Sequence, residues 1–395
     1  MAQKRGVTST RSSSKRNGPI NSITDFARRL DLSAWTVSRA INGHPEVNAN
    51  TRQRILRAMD ELGFRPNPLA AGLGGRRTNL VGVCFIGLGN PVIDQKLFYL
   101  QEFLRERHLR SLLEVRPRNP ALEKRAIEDF QRIRVDGIVL LHSDLDAMSS
   151  SRIVRDGACV HVDPHARQKA PCVSVDRYKA MRLLIDHLRA FGHRTFGMIG
   201  VSPADGWRWP ALMDIARIYD FDPKTSYLLA PDDPTLESPI AKGQFMAEAL
   251  LKLPRRPTAL ITENDQFAIG AIQALREHGL EVPRDMSVTG FDNLDIGRRL
   301  HPTLTTIDQN SKRLMERAVD TLVREIALPR PERGKSSFET VEPALIIGES
   351  TGPAPKVSAG VKTPKGGAGS PQPCLDSAPP IPRIRASESE FVKSA

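Results

Sequence analysis

No run of apolar residues in this 395-residue chain approaches the ~20 that a bilayer span requires; the longest, such as Gly137 to Leu141, are strand-sized. A membrane helix is not expected. The first nineteen residues hold Lys4, Arg5, Arg11, Lys15 and Arg16 but no apolar segment of secretory-signal type, so the expected location is cytoplasmic. Cysteine is scarce: Cys84, Cys159, Cys172 and Cys374 have neither CxxC spacing nor the density of a disulfide framework, and the first three are expected as buried free thiols. Catalytic and metal-binding constellations are missing too. Gly87-Leu88-Gly89 lacks the third glycine of a dinucleotide loop, since Val92 stands there. His142, Ser143 and Asp144 are the residue types of a hydrolytic triad, but sequence neighbours need not point at one another. His161 and His165 have no further Cys/His cluster to complete a metal site. The expectation is therefore no cofactor, no metal and no enzymatic activity.

What is present is enough apolar residue, 40%, to bury a sizeable core, on a length that suggests two or three folded units. The net charge of +12 is unevenly placed. Residues 1–77 carry fourteen Lys/Arg against five Asp/Glu, residues 78–350 carry thirty-seven of each, and residues 351–395 carry six against three. A solubility surplus would be spread and a polyanion-binding surplus clustered, so the front segment looks built for phosphates and the central body does not.

Residues 1–19 read as a mobile basic arm. Three short helices follow. Ser22 is a plausible cap for the first, with Ile23, Phe26, Ala27 and Leu30 on one face. Ser33 caps the second, through about Asn42, with Val37 and Ile41 inward and Ala34, Trp35, Ser38 and Arg39 on the surface. Asn48 caps the third, with Ile55, Met59 and Leu62 inward and Gly63 as its stop. Two helices joined by a tight turn, in a segment carrying most of the excess charge, follow the helix-turn-helix plan; a three-helix bundle with a solvated basic face is the bland alternative. From Leu80 onward, β-rich runs alternate with helical segments: Leu80–Phe85, Leu112–Val115, Gly137–Leu141, Cys159–Val162, Thr195–Ile199, Ala259–Thr262 and Ser287–Gly290. That alternation predicts a doubly wound α/β body, and its size predicts two similar lobes with a ligand cleft between them. The last 45 residues contain nineteen Pro, Gly or Ser and the single leucine Leu375, which reads as a disordered tail. The expected domains are an arm (1–19), a helix-turn-helix head (20–66), a hinge (67–79), a two-lobed body (80–350) and a tail (351–395).

Over about residues 22–351 the chain resembles the lactose-repressor and galactose-repressor family of bacterial transcription regulators. The resemblance is carried by Thr36-Val37-Ser38-Arg39, Ile41-Asn42-Gly43, Val47, Thr51-Arg52, Ile55 and Leu62-Gly63-Phe64-Arg65-Pro66-Asn67. In the body it continues through Asn90-Pro91, Val135-Asp136-Gly137-Ile138, His187-Leu188, Gly192-His193-Arg194, Pro257-Thr258-Ala259, Asn264-Asp265, Gly290-Phe291-Asp292, Pro302, Leu304-Thr305-Thr306 and Gln309. It implies an all-α helix-turn-helix head joined by a hinge to a periplasmic-binding-protein-like α/β body. In that family the second helix enters the major groove, and Ala34, Trp35 and Arg39 match the base-reading positions. Arg39 can pair two donors with a guanine edge; Ala34 and Trp35 offer only apolar or stacking contact. Ser22, Ser33, Thr36, Ser38, Asn42 and Asn48 match or flank backbone-contacting positions, each with a capping or turn role as its alternative. Leu73 matches a hinge leucine that wedges into the minor groove. Pro68, Gly72, Gly74 and Gly75 crowd that hinge and predict a helix that is harder to order. Asp31 stands where the family usually has glycine in the turn between the first two helices, a left-handed position that Asp tolerates.

In the body the resemblance implies that Arg208, Asn264, Asp292 and Gln309, with Asp163 as a weaker candidate, line an effector cleft. Arg and Asp together can clamp a polyol or an anion. Val175 and Ser238 stand where sugar-binding relatives carry stacking aromatics, and Trp207 or Trp209 are the substitutes on offer. The functional expectation is a homodimeric, operator-binding transcription regulator of repressor type, with no membrane partner and with activation left open. A small molecule of carbohydrate type would control it. The alternatives are an effector-blind regulator that binds DNA constitutively and a solute-binding protein, the latter disfavoured by the charged front module.

Overall fold

The computed structural model describes residues 20–66, 77–87, 90–117, 119–143, 145, 157–164, 168–201, 208–219, 227–228, 238–253 and 256–355. The expected arm (1–19), most of the hinge with Pro68, Gly72, Leu73, Gly74 and Gly75, and the tail from residue 356 with Cys374 lie outside them. So do Leu88, Gly89, Asp144, His165 and Trp207.

The head consists of α1 (Ile23–Arg29), α2 (Ala34–Ile41) and α3 (Ala49–Glu61). Each start is fixed by a side-chain cap: Ser22 Oγ accepts from the Asp25 amide, Ser33 Oγ from that of Thr36, and Asn48 Oδ1 from that of Asn50. Asp31 takes the left-handed conformation (φ 60°), as the turn requires. Phe26, Ala27, Val37, Ala40, Ile55, Ala58, Met59 and Phe64 form the core. Leu62, expected inward, is exposed. It caps the end of α3, and after the turn at Gly63 the chain folds back, so that Phe64 takes the core place and stacks on Phe26 with ring centroids 4.4 Å apart.

In the body, β1 (Leu80–Ile86), β2 (Arg110–Arg116), β3 (Gly137–Leu141), β4 (Ala158–Val162), β5 (Cys172–Val175) and β11 (Phe338–Val341) form an all-parallel sheet in the order 11-5-4-3-1-2. Helices α4 (Pro91–Glu106) and α11 (Ser311–Ala327) cover one face and α5 (Pro120–Ile133) the other. A second parallel sheet, in the order 7-6-8-9, contains β6 (Phe196–Ile199), β7 (Tyr227–Leu228), β8 (Ala259–Thr262) and β9 (Ser287–Thr289). It lies between α6 (Arg177–Ala190) with α7 (Arg208–Tyr219) and α8 (Pro239–Leu251) with α9 (Asp265–Glu277). A short helix α10 (Asp295–Arg298) follows β9, and β10 (Thr306–Asp308) pairs antiparallel with β12 (Ala344–Ile346).

The two lobes are interleaved. The chain leaves the first sheet after β5, returns through β10 into α11 and β11, and leaves again into β12. The second lobe also runs past residue 350, where the tail was expected to begin. Thr351 Oγ1 lies 2.8 Å from His187 Nε2, the Gly352 carbonyl 3.0 Å from His193 Nε2, and the Ala354 amide donates to the Phe191 carbonyl. Cys84, Cys159 and Cys172 are free and buried as expected, and burial pushes all three thiols upward, Cys84 to about 11 and Cys172 to about 12. Among the described residues no helix is long and apolar enough to cross a membrane.

Candidate functional site

The outward face of α2 follows from its inward one. With Val37 and Ala40 buried three residues apart, helical periodicity turns Trp35 and Arg39 away from the core, and Trp35 is 60% exposed. The Arg39 guanidinium carbon lies 4.0 Å above the Trp35 ring, and the same guanidinium is ion-paired with Glu46 from the turn before α3. Ala34 is half-buried and packs on the head core, so of the three candidate base readers only Trp35 and Arg39 project. The candidate backbone contacts are engaged as caps and turn bonds. Ser22 and Ser33 hold the starts of α1 and α2, Thr36 Oγ1 lies 2.8 Å from Ser33 Oγ, Asn42 Nδ2 donates to the Ser38 carbonyl at 2.6 Å, and Asn48 caps α3. Leu73 lies outside the described residues. Glu46 was not anticipated, because nothing in its local sequence says that the turn returns it to the outward face of α2.

Where the chain crosses between lobes, Asp163, Gln309 and Asp292 come together around a residue that is not among the sequence candidates. Lys96 on α4 is fully buried, and its ammonium donates to Asp163 Oδ2 at 2.7 Å and to Gln309 Oε1 at 2.9 Å. Gln309 Nε2 in turn donates to Asp292 Oδ1. Asp163 Oδ1 accepts from Ser174 Oγ at 3.0 Å, the Val175 amide at 2.9 Å and Arg177 at 2.7 Å. Arg177, Asp163, Lys96, Gln309 and Asp292 thus form one continuous polar chain from the first lobe to the second.

Its charge states follow from the neighbours. Burial opposes ionisation of Asp163, but the Arg177 and Lys96 cations hold its carboxyl well below the usual range. Burial lowers Lys96, with Asp163 acting the other way. Asp292 is pushed up to about 7 by burial and by the nearby Asp265 carboxylate, partly offset by Arg208 and Lys96. Burial lifts Asp265 itself to about 6.

Arg208 opens α7 with little exposure. Its guanidinium carbon sits 4.5 Å over the Phe291 ring and its Nη1 3.9 Å from Glu263. Asn264 caps α9 through the Phe267 amide, so its carbonyl oxygen is spoken for by the helix start. Of the stacking substitutes, Trp207 lies outside the described residues and Trp209 packs against the core between α6, α7 and the second sheet; Val175, at one of the positions without an aromatic, is buried in β5, and Ser238, at the other, caps α8. Ser143, the described hydroxyl of the considered triad, is buried and accepts from the Leu145 amide. Among the described residues no group of His, Cys, Asp and Glu is placed to hold a metal ion.

Lys96 was legible in principle. It interrupts the apolar stripe Val92, Ile93, Leu97, Leu100 of α4, and a lysine on the inward face of a helix needs a buried partner.

Two family models match the chain: bacterial regulatory proteins of the lacI family over residues 22–67, and the periplasmic binding protein-like domain over residues 185–351. The regulator MalR of Streptomyces coelicolor is 32% identical over 350 residues, covering 84% of this chain and 97% of the relative. The ribose operon repressor of Haemophilus influenzae is 26% identical over 339 residues, covering 83% and 98%. Among solved structures, the lac repressor dimer bound to operator and an anti-inducer is similar with a TM-score of 0.73 and 23% identity, covering 84% of this chain and 99% of that one. A CelR–cellobiose complex is similar with a TM-score of 0.58 and 22% identity, covering 83% and 99%. The fold, the three capped helices of the head and the two-lobed body agree with these matches: the chain belongs to the lacI family of bacterial regulatory proteins.

Proposed function

We propose that this protein is an operator-binding transcription regulator, acting as a cytoplasmic homodimer, in which the outward face of α2 reads bases and the cleft between lobes receives a small molecule of carbohydrate type. The observation that carries the reading is the exposed Trp35 with Arg39 stacked on it, on a helix whose other face is fully committed to the head core. Arg39 supplies the bidentate donor pair for guanine and Trp35 an apolar surface for a thymine methyl. Ser22, Ser33, Thr36, Ser38, Asn42 and Asn48 set register against phosphates, and Leu73 wedges the hinge step. In the cleft, Asp163, Arg208, Asn264, Asp292 and Gln309 are the assigned effector residues.

Gel shifts on the upstream region of the protein's own gene test this. Arg39→Ala is expected to abolish the preference for operator over random DNA and to leave salt-sensitive residual binding. Equal loss on both DNAs would remove the base-reading role.

One observation favours an effector-blind form of the same regulator: Asp163 already accepts four donors from its own chain, one of them the buried Lys96 ammonium. Calorimetric titration with a sugar and sugar-phosphate panel separates the two. Binding to wild type supports effector control. Binding only after Lys96→Ala supports the blind form.

A further inference from the structure

The body carries equal numbers of cationic and anionic side chains, but the fold separates them. All strands of the first sheet run parallel, so their amino ends share one edge of the lobe and their carboxyl ends face the cleft. The described chain enters β1 through Arg77, Thr78 and Asn79, at the amino-end edge. There the ends of β3, β4 and α11 surround a concavity of about 890 Å³ lined by Arg77, Arg134, Arg330 and Arg333.

Among the described residues, Asp136 is the one acidic side chain in that lining, and its carboxylate is committed to the amides of Thr78 at 2.9 Å and Asn79 at 2.7 Å. Glu325, nearby, accepts from the Gly334 amide. The guanidinium of Arg333 is itself lowered, first by burial and then by the positive charges of Arg330 and Arg77, which shows how closely the cations crowd. Two of the four also serve the fold. Arg77 and Arg333 donate to the Ile326 carbonyl, and Arg333 to that of Leu328, closing the carboxyl end of α11. Arg134 and Arg330 are exposed on the rim.

We propose that this groove is a second duplex contact, in which the body itself grips the phosphodiester backbone of the operator beside the head. Four guanidinium groups around one concavity suit phosphate oxygens, which they bind in fork geometry. Position selects the duplex over other polyanions. Eleven residue steps separate Pro66 from Arg77, so the groove lies within roughly 40 Å of a head that is itself on the DNA. The proposal rests on the DNA-binding reading above.

The test uses the full-length protein and the double variant Arg134→Gln/Arg330→Gln, which spares the two arginines that close α11. Operator affinity is measured between 50 and 300 mM salt. The expected result is a slope of log K against log salt flattened by about 0.9 for each phosphate no longer neutralised, with a several-fold fall in affinity on operator and random DNA alike. Arg134→Lys/Arg330→Lys is expected to restore the slope. Hydroxyl-radical footprinting provides an independent readout: backbone protection beyond the head's own footprint disappears in the Gln variant. A thermally stable Gln variant with an unchanged slope and footprint overturns the proposal. So does a variant that keeps both but loses binding to a phosphoserine peptide, which would assign the groove to a protein partner. Absence of DNA binding by the wild type would instead overturn the regulator reading.

Discussion

Lys96 cannot reach solvent, so its charge survives only through Asp163 and Gln309. Removing one partner of a buried ion pair costs more than the pair contributes, because the remaining charge stays behind. Lys96→Met is expected to lower unfolding stability by about 3 kcal/mol in urea titration, less if Arg177 alone keeps Asp163 ionised. His161 presents a different case. It is fully buried in β4, neither ring nitrogen has a hydrogen-bond partner, and burial lowers it to about 4. As pH falls, the unfolded chain takes up this proton near pH 6.5 and the folded chain only near 4. Stability is therefore fully present above about 6.5 and is lost progressively down to about 4, by about 3 kcal/mol in all. Asp292, raised to about 7, acts in the opposite sense. Its burial cost is present above pH 7 and is relieved on acidification as the folded carboxyl protonates first. The two slopes oppose each other where they overlap, and Asp265, lifted to about 6, adds to that of Asp292. Equilibrium unfolding of His161→Leu between pH 4 and 7 is expected to show stability rising toward acid relative to wild type.

At the scale of elements, α2 depends on one oxygen atom for its start. Ser33→Ala is expected to cost the head about 1 kcal/mol by thermal melting, and to loosen the turn that orients Trp35. Helices α8 and α9 are held close by two glycines. A Cβ on Gly270 would lie 2.0 Å from the Ile240 carbonyl oxygen, and one on Gly243 would lie 2.3 Å from that of Phe267. Gly270→Ala is expected to push the helices apart and destabilise the second lobe by about 1–3 kcal/mol in denaturant titration. The strands best legible in sequence were those buried on both sides, such as β3 and β8, whose expected and observed limits coincide. The sequence pattern does not reveal β5, β7, β10, β11 and β12. They are two to four residues long, and β11 is wholly or partly exposed at a sheet edge except at Val341, so pairing with β5 rather than local preference makes it a strand.

For the whole molecule, charge arithmetic along the sequence located the cationic head but described the body as neutral. It missed the groove because Arg77, counted with the front segment, is gathered with Arg134, Arg330 and Arg333 of the body by topology and not by spacing. The same holds for the cleft. Asp163, Asp292 and Gln309 were legible through motif resemblance, whereas Lys96 and Arg177 join them only because α4 and α6 abut the same crossover. Glu46 likewise meets Arg39 through the return of a turn.

The three passages of chain between lobes also govern how this protein can be cut and recombined. β11 follows β6 to β9 in the chain yet sits beside β5, so a ribosome that has made the second sheet has not finished the first. No contiguous fragment contains one complete lobe without most of the other. A chimaera with a relative can exchange the head, or the entire body, but a splice point inside the body would leave both halves without an edge strand or a covering helix.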